Sequence, residues 1–116
     1  MSTDSIVKQK SMDFAKRIVQ LYKYLGKEHH EYVMSKQVLR SGTSIGANIA
    51  EAIYGSSRKD FVAKLQIAQK EAAETLYWLE LLNSSEYISD KLYLSLSSDC
   101  KEILAILAAT IKSSSE

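Results

Sequence analysis

The chain has 116 residues, 46% hydrophobic and 25% charged, with a formal net charge of +1, a single cysteine and no proline. That length fits one domain, residues 1–116, with its own core, and the near-neutral balance excludes a protein that coats nucleic acid by bulk charge. A lone Cys100 rules out an intramolecular disulfide, and Met1–Ser5 lacks the charged-then-apolar pattern of a secretory leader, so a cytoplasmic protein is expected.

The first predicted helix runs from about residue 5 to 25. Phe14, Ile18, Leu21, Tyr22 and Leu25 recur on one side at helical spacing. Gly26 is the expected C-terminal stop, and Lys27–Tyr32 the polar connection that carries His29 and His30. The opposite side of this helix is basic, with Lys10, Lys16, Arg17, Lys23 and Lys27. Residues 1–40 hold eight Lys/Arg against four Asp/Glu, whereas residues 81–116 hold three against five. Lys16, Arg17, Lys23 and Lys27 are the candidate nucleic-acid contacts, against the plainer reading of a solvated helix face.

The second helix, about 33–54, separates into two unlike faces. Val38, Gly42, Ile45, Gly46, Ile49, Ala52 and Ile53 fall on one side; Gln37, Arg40, Ser44, Ala47, Asn48 and Glu51 fall on the other. No charged residue occurs in Ser41–Ala50, which predicts close contact around most of the helix, and the row Gly42, Gly46, Ala50 lets another backbone approach. Two helical glycines cost roughly 1 kcal/mol each relative to Ala, so tertiary contact must offset them.

The third helix, about 58–83, opens on Ser57-Arg58-Lys59-Asp60, which has the spacing of a capping box. Phe61, Leu65, Ala68, Ala72, Thr75, Leu79 and Leu82 then form a heptad seam. Ile67, Tyr77 and Leu81 lie on the side away from that seam and Trp78 on its flank. These four are the candidate oligomer interface, since aromatics with one polar handle suit subunit contacts. The fourth helix, about 89–112, starts at Ser89 as N-cap and points Leu92, Leu96, Cys100, Ile103, Leu107 and Ile111 inward, with Ser113–Glu116 expected beyond its end. Its apolar run, Ile103–Ile111, is far short of the roughly 20 residues of a membrane span, so no membrane partner is expected. Short connections force neighbours antiparallel, and the predicted fold is an all-α, up-down-up-down four-helix bundle.

Chemistry is thinly represented. The two histidines are adjacent and expected to be solvated, and no Glu-x-x-His pair occurs for a bundle di-metal site. Cys100 falls at an inward position. No catalytic residue, metal ligand or cofactor is therefore assigned, and the chain is read as a non-enzyme. The one polar constellation is Arg40, Ser44, Asn48 and Glu51 with Glu71 and Glu74 of the third helix. It reads as a structural clasp between helices or subunits, with a ligand or nucleic-acid contact as the alternative.

Ser44-Ile45-Gly46-Ala47-Asn48-Ile49-Ala50-Glu51 and the Glu71–Trp78 neighbourhood also carry a resemblance. Over about Phe14 to Leu107 the chain resembles the 23S rRNA intervening-sequence proteins, bacterial four-helix bundles related to the accessory variability determinant of diversity-generating retroelements. Many members have a proline near the Asn and a glycine after the Glu, where Gly46 and Ala52 stand here. The resemblance implies a homopentamer and an oligomeric adaptor that associates weakly with structured RNA. The alternative is a protein–protein scaffold with an unidentified protein partner and no nucleic-acid role.

Overall fold

Each amphipathic segment folds as a helix in the computed structural model, which describes residues 3–115. They are α1 (Thr3–His29), α2 (Met34–Ile53), α3 (Arg58–Ser84) and α4 (Asp90–Ser115). No strand occurs among the described residues. Each helix packs on its sequence neighbours and α4 closes against α1, giving an antiparallel bundle of 45 × 22 × 21 Å. Phe14, Ile18 and Leu25 of α1, Ile45 and Ile49 of α2, Leu79 and Leu82 of α3, and Leu96, Ile103 and Leu107 of α4 are fully buried. Burying a side chain of this size contributes about 1.5–3 kcal/mol, which is what holds the bundle. The α3 seam faces the core as its heptad spacing requires, with Phe61 at its open end only half-buried.

Thr75 and Cys100 have their polar atoms matched in the core, whereas the buried Ser97 hydroxyl of α4 has no partner among the described residues. The buried Thr75 hydroxyl donates to Glu71 O at 2.8 Å and shares a hydrogen bond with Ser41 Oγ at 2.9 Å, tying α3 to α2. Cys100 Sγ lies 3.5 Å from Ala72 O, and burial pushes its thiol up to about 12. Gly42 and Gly46 set the α1–α2 approach: a Cβ at Gly42 would stand 2.9 Å from two carbons of Ile18, and one at Gly46 would stand 3.1 Å from Ser11 Oγ.

The helix ends show where local signals succeeded and failed. Ser57 caps α3 by accepting from Asp60 N (3.1 Å), but the Asp60 carboxylate takes the Ser56 hydroxyl (2.6 Å) instead of closing the box. Ser89 caps α4 through Leu92 N (3.1 Å), and α4 runs on through Ser115 with Glu116 outside the described residues. Gly26 does not stop α1. The helix passes through it to His29, and His30 takes the left-handed conformation (φ 50) while its N–H reaches Gly26 O and that of Glu31 reaches Leu25 O. Glu31 then caps α2 from outside. Its carboxylate accepts from the N–H groups of Val33, Met34 and Ser35 at 2.8–3.1 Å, filling donors that α2 cannot satisfy itself.

Candidate functional site

Two surfaces of the bundle carry the sequence-predicted residues. The first is the outer side of α2 and α3. Arg40, nearly two turns into α2, reaches across to α3, where Nη1 donates to Glu71 Oε2 at 3.2 Å and Nη2 donates to Glu74 Oε2. Trp78 Nε1 donates to that same Glu74 oxygen at 2.9 Å, one turn further along α3. The indole hydrogen bond and the Arg40 guanidinium hold the Glu74 carboxyl below the usual carboxylate range, and Glu74 in turn raises Arg40. The Arg40 side chain is nonetheless 51% exposed, so the ion pair lies on the bundle surface and not in its core.

The other members of the predicted constellation turn elsewhere. Asn48 Nδ2 donates to Ser44 O (2.9 Å) and Ser44 Oγ (3.1 Å), a link within α2. Glu51 accepts from Lys64 Nζ of α3 at 3.2 Å. The structure thus brings together Arg40, Glu71, Glu74 and Trp78, and places Ser44, Asn48 and Glu51 beside them along the same α2–α3 seam. Trp78 was expected at the seam's flank, but its bond to Glu74 was not foreseen, although the i, i+4 spacing carries that signal. Around this network the apolar surface stays open. Ile67 is 41% and Tyr77 58% exposed, Leu81 is half-buried, and the Tyr77 ring meets Trp78 edge-on at 5.1 Å. The uncharged stretch of α2 is less enclosed than its composition predicts, with Ala47 exposed.

The second surface is the outward ridge of α1. Its basic residues divide by the direction they point. Those on the α4 side are neutralised: Lys10 pairs with Glu102 at 2.5 Å, which raises the lysine, and Arg17 donates to Asp99 Oδ2 at 2.7 Å. Lys16, Lys23 and Lys27 are exposed, and among the described residues no carboxylate pairs with them. Arg17, placed with them as a nucleic-acid contact, is half-buried and engaged with α4. His29 closes α1 instead of lying free in a loop. Its ring packs edge-on against Tyr24 and Tyr87, each at 5.4 Å, with Nε2 3.2 Å from the Tyr24 hydroxyl.

Among the described residues no group of His, Cys, Asp or Glu is arranged to hold a metal ion, and no helix is long and apolar enough to cross a membrane. These features define a four-helix bundle whose distinctive chemistry lies on its outer faces. The chain belongs to the 23S rRNA-intervening sequence protein family, whose profile matches residues 3–109. It is similar to a solved structure from Bacteroides thetaiotaomicron VPI-5482, described as a protein of unknown function from the S23 ribosomal protein family. The two are 58% identical with a TM-score of 0.94, over 96% of this chain and 99% of that one. No curated protein matches the chain.

Proposed function

We propose that the protein is a non-enzymatic, self-assembling adaptor that associates weakly with structured RNA, copies meeting through the α2–α3 face and RNA lying on the α1 ridge. One observation carries this reading: among the described residues the bundle leaves an apolar rim exposed around the α2–α3 ion pairs and a row of lysines on α1 unpaired. The α2–α3 face offers Ile67, Tyr77 and Leu81 around a surface ion-pair network, the mixture of aromatic, aliphatic and paired charge found where subunits meet. The α1 ridge offers Lys16, Lys23 and Lys27 as unneutralised cations at a net charge of only +1, so affinity for phosphate is local and modest for one chain. Repetition of that ridge around an oligomer raises its avidity, and the family resemblance points to a ring of five.

Light scattering after size exclusion tests the assembly. The expected mass for wild type is five times the 13.0 kDa of one chain. Leu81→Glu should release smaller species, because a charge enclosed at an interface without a partner is costly. A wild-type mass of one chain at micromolar concentration would reject the assembly. The scaffold alternative draws on the same α2–α3 face and on the low net charge, and predicts assembly without RNA binding.

A further inference from the structure

Between α1 and α4, beside the basic ridge, lies an open cleft of about 370 Å³ lined by Arg17, Gln20, Leu21, Tyr24, Leu92 and Leu96. Its floor is leucine. On its α1 side lie the Tyr24 ring, 42% exposed, and, two turns earlier, the Arg17 guanidinium, held in place by Asp99. Tyr24 is braced from behind. Its hydroxyl meets His29 Nε2, its ring packs edge-on against the His29 ring, and His29 packs edge-on against Tyr87. A ring fixed in this way loses little conformational freedom when something flat settles on it.

From this geometry we infer that the cleft takes an unpaired RNA base, stacked on Tyr24, while the neighbouring phosphates follow the Lys16–Lys23–Lys27 ridge. The inference rests on the RNA reading above and specifies which part of an RNA is held. A nucleobase has apolar faces and a polar edge. The leucine floor and the tyrosine ring suit the faces, and the Gln20 amide, which both donates and accepts, suits the edge. Charge sets the path of the strand. The adjoining hollow at the end of the bundle is lined by Glu86 and Asp90 together with His29, Asn83 and Tyr87, and its carboxylates repel phosphate. The uncancelled lysines lie on the other side, and from Lys16 to Lys27 the helix rises about 17 Å, a stretch long enough to follow several nucleotides. A paired base cannot enter, because its face is covered by its neighbours in the helix stack.

The test titrates the full-length protein at low salt with an unpaired RNA of about twelve nucleotides carrying a central 2-aminopurine, and with a blunt, loop-free duplex of that strand and its complement. The unpaired RNA should bind more tightly, with quenching of the aminopurine fluorescence on stacking. Tyr24→Leu should weaken it by about 5- to 100-fold, and Tyr24→Phe, which keeps the ring, by no more than about twofold. Equal binding of the two RNAs, no quenching with wild type, or a Tyr24→Phe loss as large as that of Tyr24→Leu would overturn the stacking site and leave the phosphate ridge standing. Failure of both RNAs to bind at low salt would overturn the ridge and the cleft together.

Discussion

Replacing Gly42 by Ala tests the packing of α1 on α2 most sharply. The added Cβ would stand 2.9 Å from both Cγ1 and Cγ2 of Ile18 and 3.3 Å from its Cβ, against the roughly 3.5–4.0 Å of a comfortable carbon contact. Ile18 is fully buried and β-branched, so it has no alternative rotamer into open space. Relief requires the helices to part or Ile18 to distort, an overpacking that costs about 1–3 kcal/mol. Removing a helical glycine returns about 1 kcal/mol, so the expected net loss is about 0–2 kcal/mol, centred on about 1 kcal/mol, and a melting temperature lower by roughly 5 °C. Two controls share the chemistry but not the neighbour. At Gly46 the new carbon meets Ser11 Oγ at 3.1 Å, and little net change is expected. At Gly26 it meets only the edge of the exposed Tyr32 ring at 3.2 Å, which need give by only a few tenths of an ångström and keeps its bond to the Gly26 carbonyl, so stability should rise by about 0.5–1 kcal/mol. Thermal or urea unfolding of the three variants should rank Gly26→Ala above wild type and Gly42→Ala below it. A Gly42→Ala protein that melts at or above wild type would refute the close approach.

Glu31→Ala strips three backbone N–H groups at the start of α2 of their acceptor, and should cost about 1–2 kcal/mol by chemical denaturation. Arg40→Met removes a pair whose guanidinium is half exposed, so unfolding of the dissociated chain should shift by no more than about 1 kcal/mol; a drop in assembled mass would mark the face as covered. The folded Glu74 carboxyl lies below its ordinary range, so its contribution is complete above the unfolded pKa and is lost as pH falls through the folded one. The Arg40–Glu74 coupling from a double-mutant cycle should therefore persist at neutral pH and fade only at acid pH below the usual carboxylate range. Cys100, pushed up to about 12 by burial, should resist thiol reagents at pH 8 in the native protein and react fully in denaturant.

Periodicity made the bundle legible. The α3 seam from Leu65 to Leu82 and the α4 stripe from Leu96 to Leu107 are buried because a spacing of three and four residues defines one face whatever packs on it. Gly26 misled, because a glycine after an apolar stripe signals a left-handed cap, yet here His30 takes that role. Gly26 instead lies beneath Tyr32, whose hydroxyl donates to its carbonyl oxygen at 3.2 Å. Glu31 was illegible as a cap, because it acts from two residues before the N-cap position, where Val33 has no polar side-chain atom to offer. In the candidate site, the Arg40–Glu71–Glu74 grouping followed from helix faces, but the diversion of Glu51 to Lys64 did not. The neutralising of Arg17 by Asp99 joins residues 82 apart and depends on how α4 returns beside α1, which no local pattern encodes.

RNA held by the proposed adaptor's unneutralised lysine ridge would show itself in titrations of structured ribosomal RNA at several salt concentrations. Wild type should be compared with the Lys16→Glu/Lys23→Glu/Lys27→Glu triple variant. Counterion release predicts weak wild-type binding that falls linearly on a log–log plot with salt, by roughly 0.7–0.9 per phosphate contacted, and a variant that binds far less with a shallower slope. Wild-type binding that is absent at low salt, insensitive to salt, or unchanged in the triple variant would contradict RNA binding by the ridge.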